Sequence, residues 1–197
     1  MMRMIFPEFF DFVMQPIESL KFRHIRQNLI SKSKGRVLEI GSGTGANFPY
    51  YKKGVLVDAI EANPLMIEQS KTKKHSALVP ITIHEVNAET LPFDDQTFDS
   101  VVATLVFCTI DNPLTALAEI QRVTKSGAPI LFFEHVRMEQ PALASIQDAL
   151  TPLWKKVGDG CRLNRNTLRL IEQSGLSVTR VQSYYKGLFL VIECENP

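Results

Sequence analysis

The stretch Val37-Leu-Glu-Ile-Gly-Ser-Gly-Thr-Gly-Ala46 decides how the rest of the chain is read. A short run rich in branched apolar residues enters three alternate glycines at 41, 43 and 45, and the chain beyond them can start a helix. The pattern describes a strand feeding a turn at which something binds. Glycine reaches positive φ and lets a ligand lie against the backbone, while unpaired N–H groups at a helix start favour a negative group. The loop therefore reads as a cradle for a nucleoside-bearing cofactor, since three alternate glycines exceed what a turn requires.

Two cofactors fit that cradle. With Ala46 as its last position the loop satisfies G-x-G-x-x-G/A, and Glu61 lies 20 residues beyond Gly41, where the ribose-binding acid of a dinucleotide site falls. Spacing alone leaves NAD open. Glu39 with Gly41, Gly43 and Gly45 also resembles Glu-x-Gly-x-Gly-x-Gly, the first motif of class I S-adenosylmethionine (SAM) methyltransferases. NAD carries a pyrophosphate that usually attracts a cation, whereas SAM presents a carboxylate, an ammonium and a sulfonium. No Lys or Arg occurs between Gly41 and Tyr51, which favours SAM.

The whole chain sets the bounds. Its 197 residues fit one domain, residues 1–197, and 45% hydrophobic with 22% charged residues is a globular composition that can bury an α/β core. A net charge of +1 offers no electrostatic footprint for nucleic acid, so no nucleic-acid partner is expected. Cys108, Cys161 and Cys194 are odd in number and widely spaced, so neither a disulfide framework nor a metal site is read from them, and a reducing cytoplasm is the natural compartment. No apolar run is long enough for a membrane span, and the start of the chain does not read as a signal peptide.

Residues 5–30 place Phe6, Phe9, Phe10, Val13, Ile17, Leu20, Ile25 and Leu29 at helical spacing, interrupted near Pro16. Residues 1–34 thus read as an N-terminal helical segment: packed on the domain, closing over the site as a lid, or in peripheral contact with a membrane. Beyond it, strands are expected over 37–40, 55–60, 81–86, 98–104 and 129–133, and helices over 64–73, 113–124, 142–157 and 167–174. Strands over 178–183 and 188–194 are joined by Tyr184-Tyr185-Lys186-Gly187, too short for a crossover and so a hairpin. Strand and helix alternation implies a parallel sheet with both faces covered.

That order resembles the Rossmann-like, seven-stranded, mostly parallel sheet of the SAM methyltransferases, with an antiparallel last strand, helices on both faces and here an extra N-terminal helix. Three segments carry the resemblance further. Glu61-Ala-Asn-Pro64 matches the acid, small residue and Asn-Pro that end the family's second strand, which implies that Glu61 accepts hydrogen bonds from both ribose hydroxyls, with Ala62 beside it. Asn87-Ala-Glu-Thr-Leu-Pro-Phe-Asp-Asp-Gln-Thr-Phe-Asp99 resembles the Asp-Ala-x-x-Leu-Pro-Phe-x-x-x-x-Phe-Asp of the small-molecule branch. Asn87 stands where the family often has an Asp contacting the adenine amino group, and its side-chain carbonyl can accept the same bond without charge. Ala88 and Glu89 would bracket the same ring edge. Glu119-Ile-Gln-Arg-Val-Thr-Lys-Ser-Gly127 resembles Glu-x-x-Arg-Val-Leu-Lys-Pro-Gly-Gly, with Ser126 and Ala128 replacing the Pro and the second Gly.

Thr104-Leu-Val-Phe-Cys-Thr109, Glu134-His-Val136 and Asp159-Gly-Cys161 look like the subgroup of alkyl-thiol methyltransferases, with phospholipid and quinone methyltransferases as neighbours. The resemblance implies SAM as cofactor, held by Glu39, Gly41, Ser42, Gly43, Gly45, Glu61, Ala62, Asn87, Ala88, Glu89 and Thr104. It also implies a small or lipophilic acceptor: a thiol, a quinone or phenol, or an amine head group. An NAD-dependent oxidoreductase and a non-catalytic SAM-binding protein are the alternatives. Methyl transfer from a sulfonium needs alignment and exclusion of water, and no metal; a base is needed only if the acceptor arrives protonated. His135, after the fifth strand, is the candidate general base or orienting group. Asp159 and Cys161 read either as a capping acid and a buried thiol or as facing the same pocket. Leu105, Val106 and Phe107, with Phe6, Phe9 and Phe10, are expected to wall the acceptor.

Overall fold

A computed structural model of the chain describes residues 22–197. Seven strands form one sheet: β1 (Arg36–Ile40), β2 (Leu56–Glu61), β3 (Ile81–Glu85), β4 (Ser100–Thr104), β5 (Pro129–His135), β6 (Ser177–Tyr184) and β7 (Phe189–Glu195). Their order is β3-β2-β1-β4-β5-β7-β6. The first five run parallel, and β7 is antiparallel to both neighbours, β5 and β6. The helices are α1 (Arg23–Ile30), α2 (Pro64–His75), α3 (Pro113–Val123), α4 (Pro141–Val157) and α5 (Thr167–Gln173). The expected helix before Arg23, its break at Pro16, the wall of Phe6, Phe9 and Phe10, and any membrane contact made there lie outside the described residues. No helix among those described is long and apolar enough to cross a membrane.

Alternation along each central strand builds two cores. Leu38 and Ile40, Val101 and Ala103, and Ile130 and Phe132 face one side, where Ala116, Leu117, Ile120 and Val123 of α3 and Ile171 of α5 complete the cluster. Val37, Val102, Leu131 and Phe133 face the other, where α1 contributes Ile25, Leu29 and Ile30. Every residue of β4 is buried, as expected of a central strand covered on both faces. The edge strand β6 is mostly exposed or half-buried and carries Arg180, Gln182 and Ser183, side chains that suit a solvated edge. Phe22 docks α1 by packing edge-on against Phe133 and Phe189, at centroid distances of 5.1 and 4.8 Å.

Local chemistry sets the ends. The Asn63 side chain accepts from the Leu65 N–H at the start of α2, where Pro64 takes the position that needs no donor. The β6–β7 hairpin turns through Tyr185 and Lys186 at positive φ. Two strand ends differ from expectation. Phe98 stops short of β4 and makes only a bridge to Thr124. β5 runs to His135, because β7 continues to pair with it as far as Phe189. His135 is therefore the last residue of a strand, held by the sheet.

Candidate active site

The carboxyl ends of the parallel strands open into a cavity of about 460 Å³. Open α/β sheets bind ligands at this edge, and the volume suits a small-molecule site. The glycine loop after β1 forms one wall. Gly41, Gly43 and Gly45 all have positive φ, but they serve different ends. A Cβ on Gly41 would lie 2.2 Å from Val106 Cγ2, so Gly41 permits close packing of two loops. A Cβ on Gly43 would meet nothing within 4 Å, and this residue faces the cavity.

Glu61 stands across from Gly43 at the end of β2. Its Oε2 accepts from the Gly43 N–H at 2.8 Å and its Oε1 from the Asn63 N–H at 2.9 Å. Burial raises its pKa above the usual carboxylate range, against the opposing effect of those backbone bonds. The Ala62 N–H also bonds this carboxylate, which keeps acceptor capacity for a ligand. Ala62, Asn87, Ala88, Glu89, Thr104, Gly41 and Ser42 also line the cavity. Asn87 Oδ1 accepts from the Glu89 N–H at 2.9 Å, which bends the loop after β3. The Glu89 carboxylate turns to Asn112 at the start of α3.

Two expected cofactor residues are not on the wall. Gly45 packs against the Phe48 ring, which a Cβ would approach to 2.6 Å. Glu39 lies beneath the loop, accepting from Asn47 Nδ2 at 2.9 Å and from the Tyr51 hydroxyl at 2.8 Å. Burial lifts its pKa to about 7, although Tyr51, Asn47 and the charge of Arg26 all favour the carboxylate. The reason is register: Glu39 points to the α1 side of the sheet, and the chain turns toward the cavity only after Ile40. Glu39 thus braces the loop from below. Phe107 also departs from expectation, being fully buried against Phe132.

Arg26 of α1 was not singled out by sequence reasoning. Its Nη1 donates to Asn47 Oδ1 at 2.8 Å and to Thr104 Oγ1 at 2.6 Å, and the residue lines the cavity. The signal was available, for Arg26 sits on the apolar stripe of Phe22, Ile25 and Leu29 at helical spacing. Lys73, in the last turn of α2, donates to Thr44 Oγ1 at 3.2 Å. Cations therefore reach the glycine loop from α1 and α2 although the loop contains none.

The ends of β4 and β5 build the other side. His135 Nε2 lies 3.2 Å from Cys161 Sγ, while His135 Nδ1 is buried without a partner. A hydrogen bond from Cys108 lowers the Cys161 pKa to about 5, with His135 acting in the same direction against burial. Cys108 is pushed well up by that bond and by burial. Burial pushes the His135 imidazole down, but the facing Cys161 outweighs it and the net shift is upward. Beneath them the buried Glu134 carboxylate accepts from the Val106 and Phe107 N–H groups. Leu105, held at positive φ by 55°, a backbone strain common at functional sites, lines the same side with Val106, Trp154, Leu188 and Phe189. Asp159 also reaches the cavity.

Residues 38–132 match the family model described as a methyltransferase domain. The thiol S-methyltransferase TMT1B of Rattus norvegicus is 33% identical over 165 residues, 82% of this chain and 68% of that protein. This chain belongs to the class I SAM-dependent methyltransferases. A phosphatidylethanolamine N-methyltransferase of Cereibacter sphaeroides is 31% identical over 126 residues, covering 63% of this chain and 62% of its own. A solved SAM-dependent methyltransferase from Thermotoga maritima superposes with a TM-score of 0.69 over the full length of both chains, at 20% identity, a likeness of fold. The methyltransferase uses SAM to methylate a small acceptor, and the NAD alternative falls with that membership.

The cavity wall fits SAM. Gly43 leaves open space where a side chain would stand, and Ser42 Oγ is buried with no hydrogen-bond partner. Glu61 offers acceptors suited to a ribose diol, and Arg26 brings positive charge suited to a carboxylate.

Proposed function

We propose that this methyltransferase methylates a thiol carried on a small apolar body. The observation that supports this most is the His135–Cys161 pair, 3.2 Å apart, in the same cavity as the glycine loop. Cys108 and His135 together favour a sulfur anion at Cys161, and an acceptor thiol beside His135 would meet a like environment. SAM, when bound, supplies an electrophilic methyl group on a sulfonium sulfur.

The chain's own residues divide the remaining work. Glu61 would accept from the ribose hydroxyls, Asn87 from the adenine amino group through the second lone pair of Oδ1, and Arg26 would attract the carboxylate. Gly41, Ser42 and Gly43 would receive the cofactor along the backbone, with Ala62, Ala88, Glu89 and Thr104 completing its walls. Because β3 and β5 lie on opposite sides of β1 in the sheet, Asn87 and His135 would hold opposite ends of the bound pair. Leu105, Val106, Leu188 and Phe189 would exclude water around the acceptor. His135 would hold the thiolate or take its proton, which then leaves to solvent. A reducing cytoplasm would keep Cys108 and Cys161 as thiols, and we place the enzyme there on that ground.

The reading is tested by incubating the full chain with SAM and matched alkyl thiols, phenols, quinols and amines, and weighing the products. Thiols should turn over fastest, and His135→Gln should lose roughly 10²-fold or more in kcat while retaining SAM affinity. Preferred turnover of phenols or amines would overturn the thiol assignment.

A further inference from the structure

Cys108, His135 and Cys161 come from three separate places: the loop after β4, the last position of β5, and the loop after α4. One ligand atom from each lies within 4.8 Å of the others, and all three residues line the cavity. Around a tetrahedral zinc ion, sulfur and nitrogen ligands sit roughly 3.5 to 3.8 Å from one another, so the observed cluster is within about 1 Å of that geometry.

The surrounding chain holds the cluster in place. Arg165 donates to the Phe107 and Ile110 carbonyls on either side of Cys108, and the Arg162 N–H donates to the Cys108 carbonyl at 3.0 Å, tying the two cysteine loops together. Glu134 fixes the Val106 and Phe107 N–H groups from below. His135 is set by the sheet, through its pairing with Phe189. Two thiolates and one imidazole are a donor set used for zinc that keeps a fourth position for a substrate, and two thiolates neutralise the ion's charge. The remaining cysteine, Cys194, is buried in β7 among apolar residues.

We propose that Cys108, His135 and Cys161 bind one zinc ion, with its fourth position open to the cavity for the sulfur of the acceptor. Only the last clause rests on the thiol reading above. When the acceptor R–SH replaces water on the ion, its S–H bond breaks, the proton passes to bulk water and the sulfur keeps the electron pair. A coordinating thiol is deprotonated in this way without a separate base. His135 then acts as a ligand, and the step needs no oxidant or reductant.

The test uses the full chain, freed of metal by a chelator under reducing conditions and titrated with Co²⁺ as a coloured probe for Zn²⁺. One equivalent should give visible bands of tetrahedral cobalt with thiolate charge transfer, displaced by Zn²⁺ and shifted by added alkyl thiol. Cys108→Ser, Cys161→Ser and His135→Ala should each weaken binding roughly tenfold or more. Cys194→Ser should leave it unchanged, and melting temperatures report whether each variant is folded. Absence of thiolate charge transfer in the wild type, bands unchanged in the folded cysteine variants, or a Cys108–Cys161 disulfide that persists under reductant would overturn the proposal. Thiol methylation at full rate by metal-free protein that binds no Co²⁺ would remove the ion and leave the thiol reading standing. Cobalt bound by these ligands in a protein that methylates only phenols would do the reverse.

Discussion

Glu61 holds the Gly43, Asn63 and Ala62 N–H groups and keeps acceptor capacity where it lines the cavity. Glu61→Ala should therefore weaken SAM binding by about 1.5 to 3 kcal/mol, the range for hydrogen bonds to a charged group, as read by calorimetry. A folded variant of unchanged affinity would show that the ribose lies elsewhere. Asn87 is tested by the same titration. Asn87→Asp should retain binding and Asn87→Leu should lose about 1 to 3 kcal/mol, because a desolvated adenine amino group goes unpaired; equal binding by both would remove the assignment. The place of Glu61 at the cavity was legible in the sequence because it ends the second strand, at the carboxyl edge where the loops gather. Glu39 was not, since a motif records that a residue is adjacent to the loop and not which side of the sheet it occupies.

The buried position of Glu39 has a pH signature. Its folded pKa, about 7, is raised above the ordinary carboxylate value of 4.5, so the folded state binds the proton more tightly than the unfolded chain. Stability contributed by this group is complete below about pH 4.5 and is lost as pH rises through about 7, by up to about 3 kcal/mol. Denaturant unfolding should show Glu39→Gln gaining relative to the wild type between about pH 5 and about pH 8. Parallel pH profiles for the two proteins would contradict the shift.

At the scale of elements, α1 delivers Arg26 to the polar network of Asn47 and Thr104 under the glycine loop. Arg26→Met keeps the bulk of the helix face but removes the donors, leaving the buried Asn47 Oδ1 unpaired at about 1 to 3 kcal/mol while Thr104 Oγ1 keeps the Asn47 Nδ2 donor. Chemical unfolding should show that loss together with weaker SAM binding; a variant of wild-type stability and affinity would show that the network carries neither. The β6–β7 hairpin was legible because four residues cannot cross a sheet. The extension of β5 to His135 was not, since it depends on β7, which pairs with it from more than fifty residues later. Phe107 was misread for a related reason: in the turn after β4 its neighbours Leu105, Val106, Cys108 and Thr109 line the cavity, while Phe107 packs into the core.

For the whole molecule, the sheet order brings every loop that follows a parallel strand to one edge, so motifs scattered from Gly41 to His135 meet around one cavity. That convergence was legible once the strands were. The meeting of Cys108 and Cys161 was not, because no short spacing joins them and the contact is made by loops on either side of β5. Cys161 also meets His135 there, and that pair, across the cavity from Asn87, gives the thiol reading its physical content. The most direct measurement offers one small acceptor carrying both nucleophiles, 4-mercaptophenol, together with SAM labelled in its methyl group, and locates the label in the product. The account predicts label on sulfur with the phenol oxygen untouched. Label on oxygen in wild-type protein would contradict it.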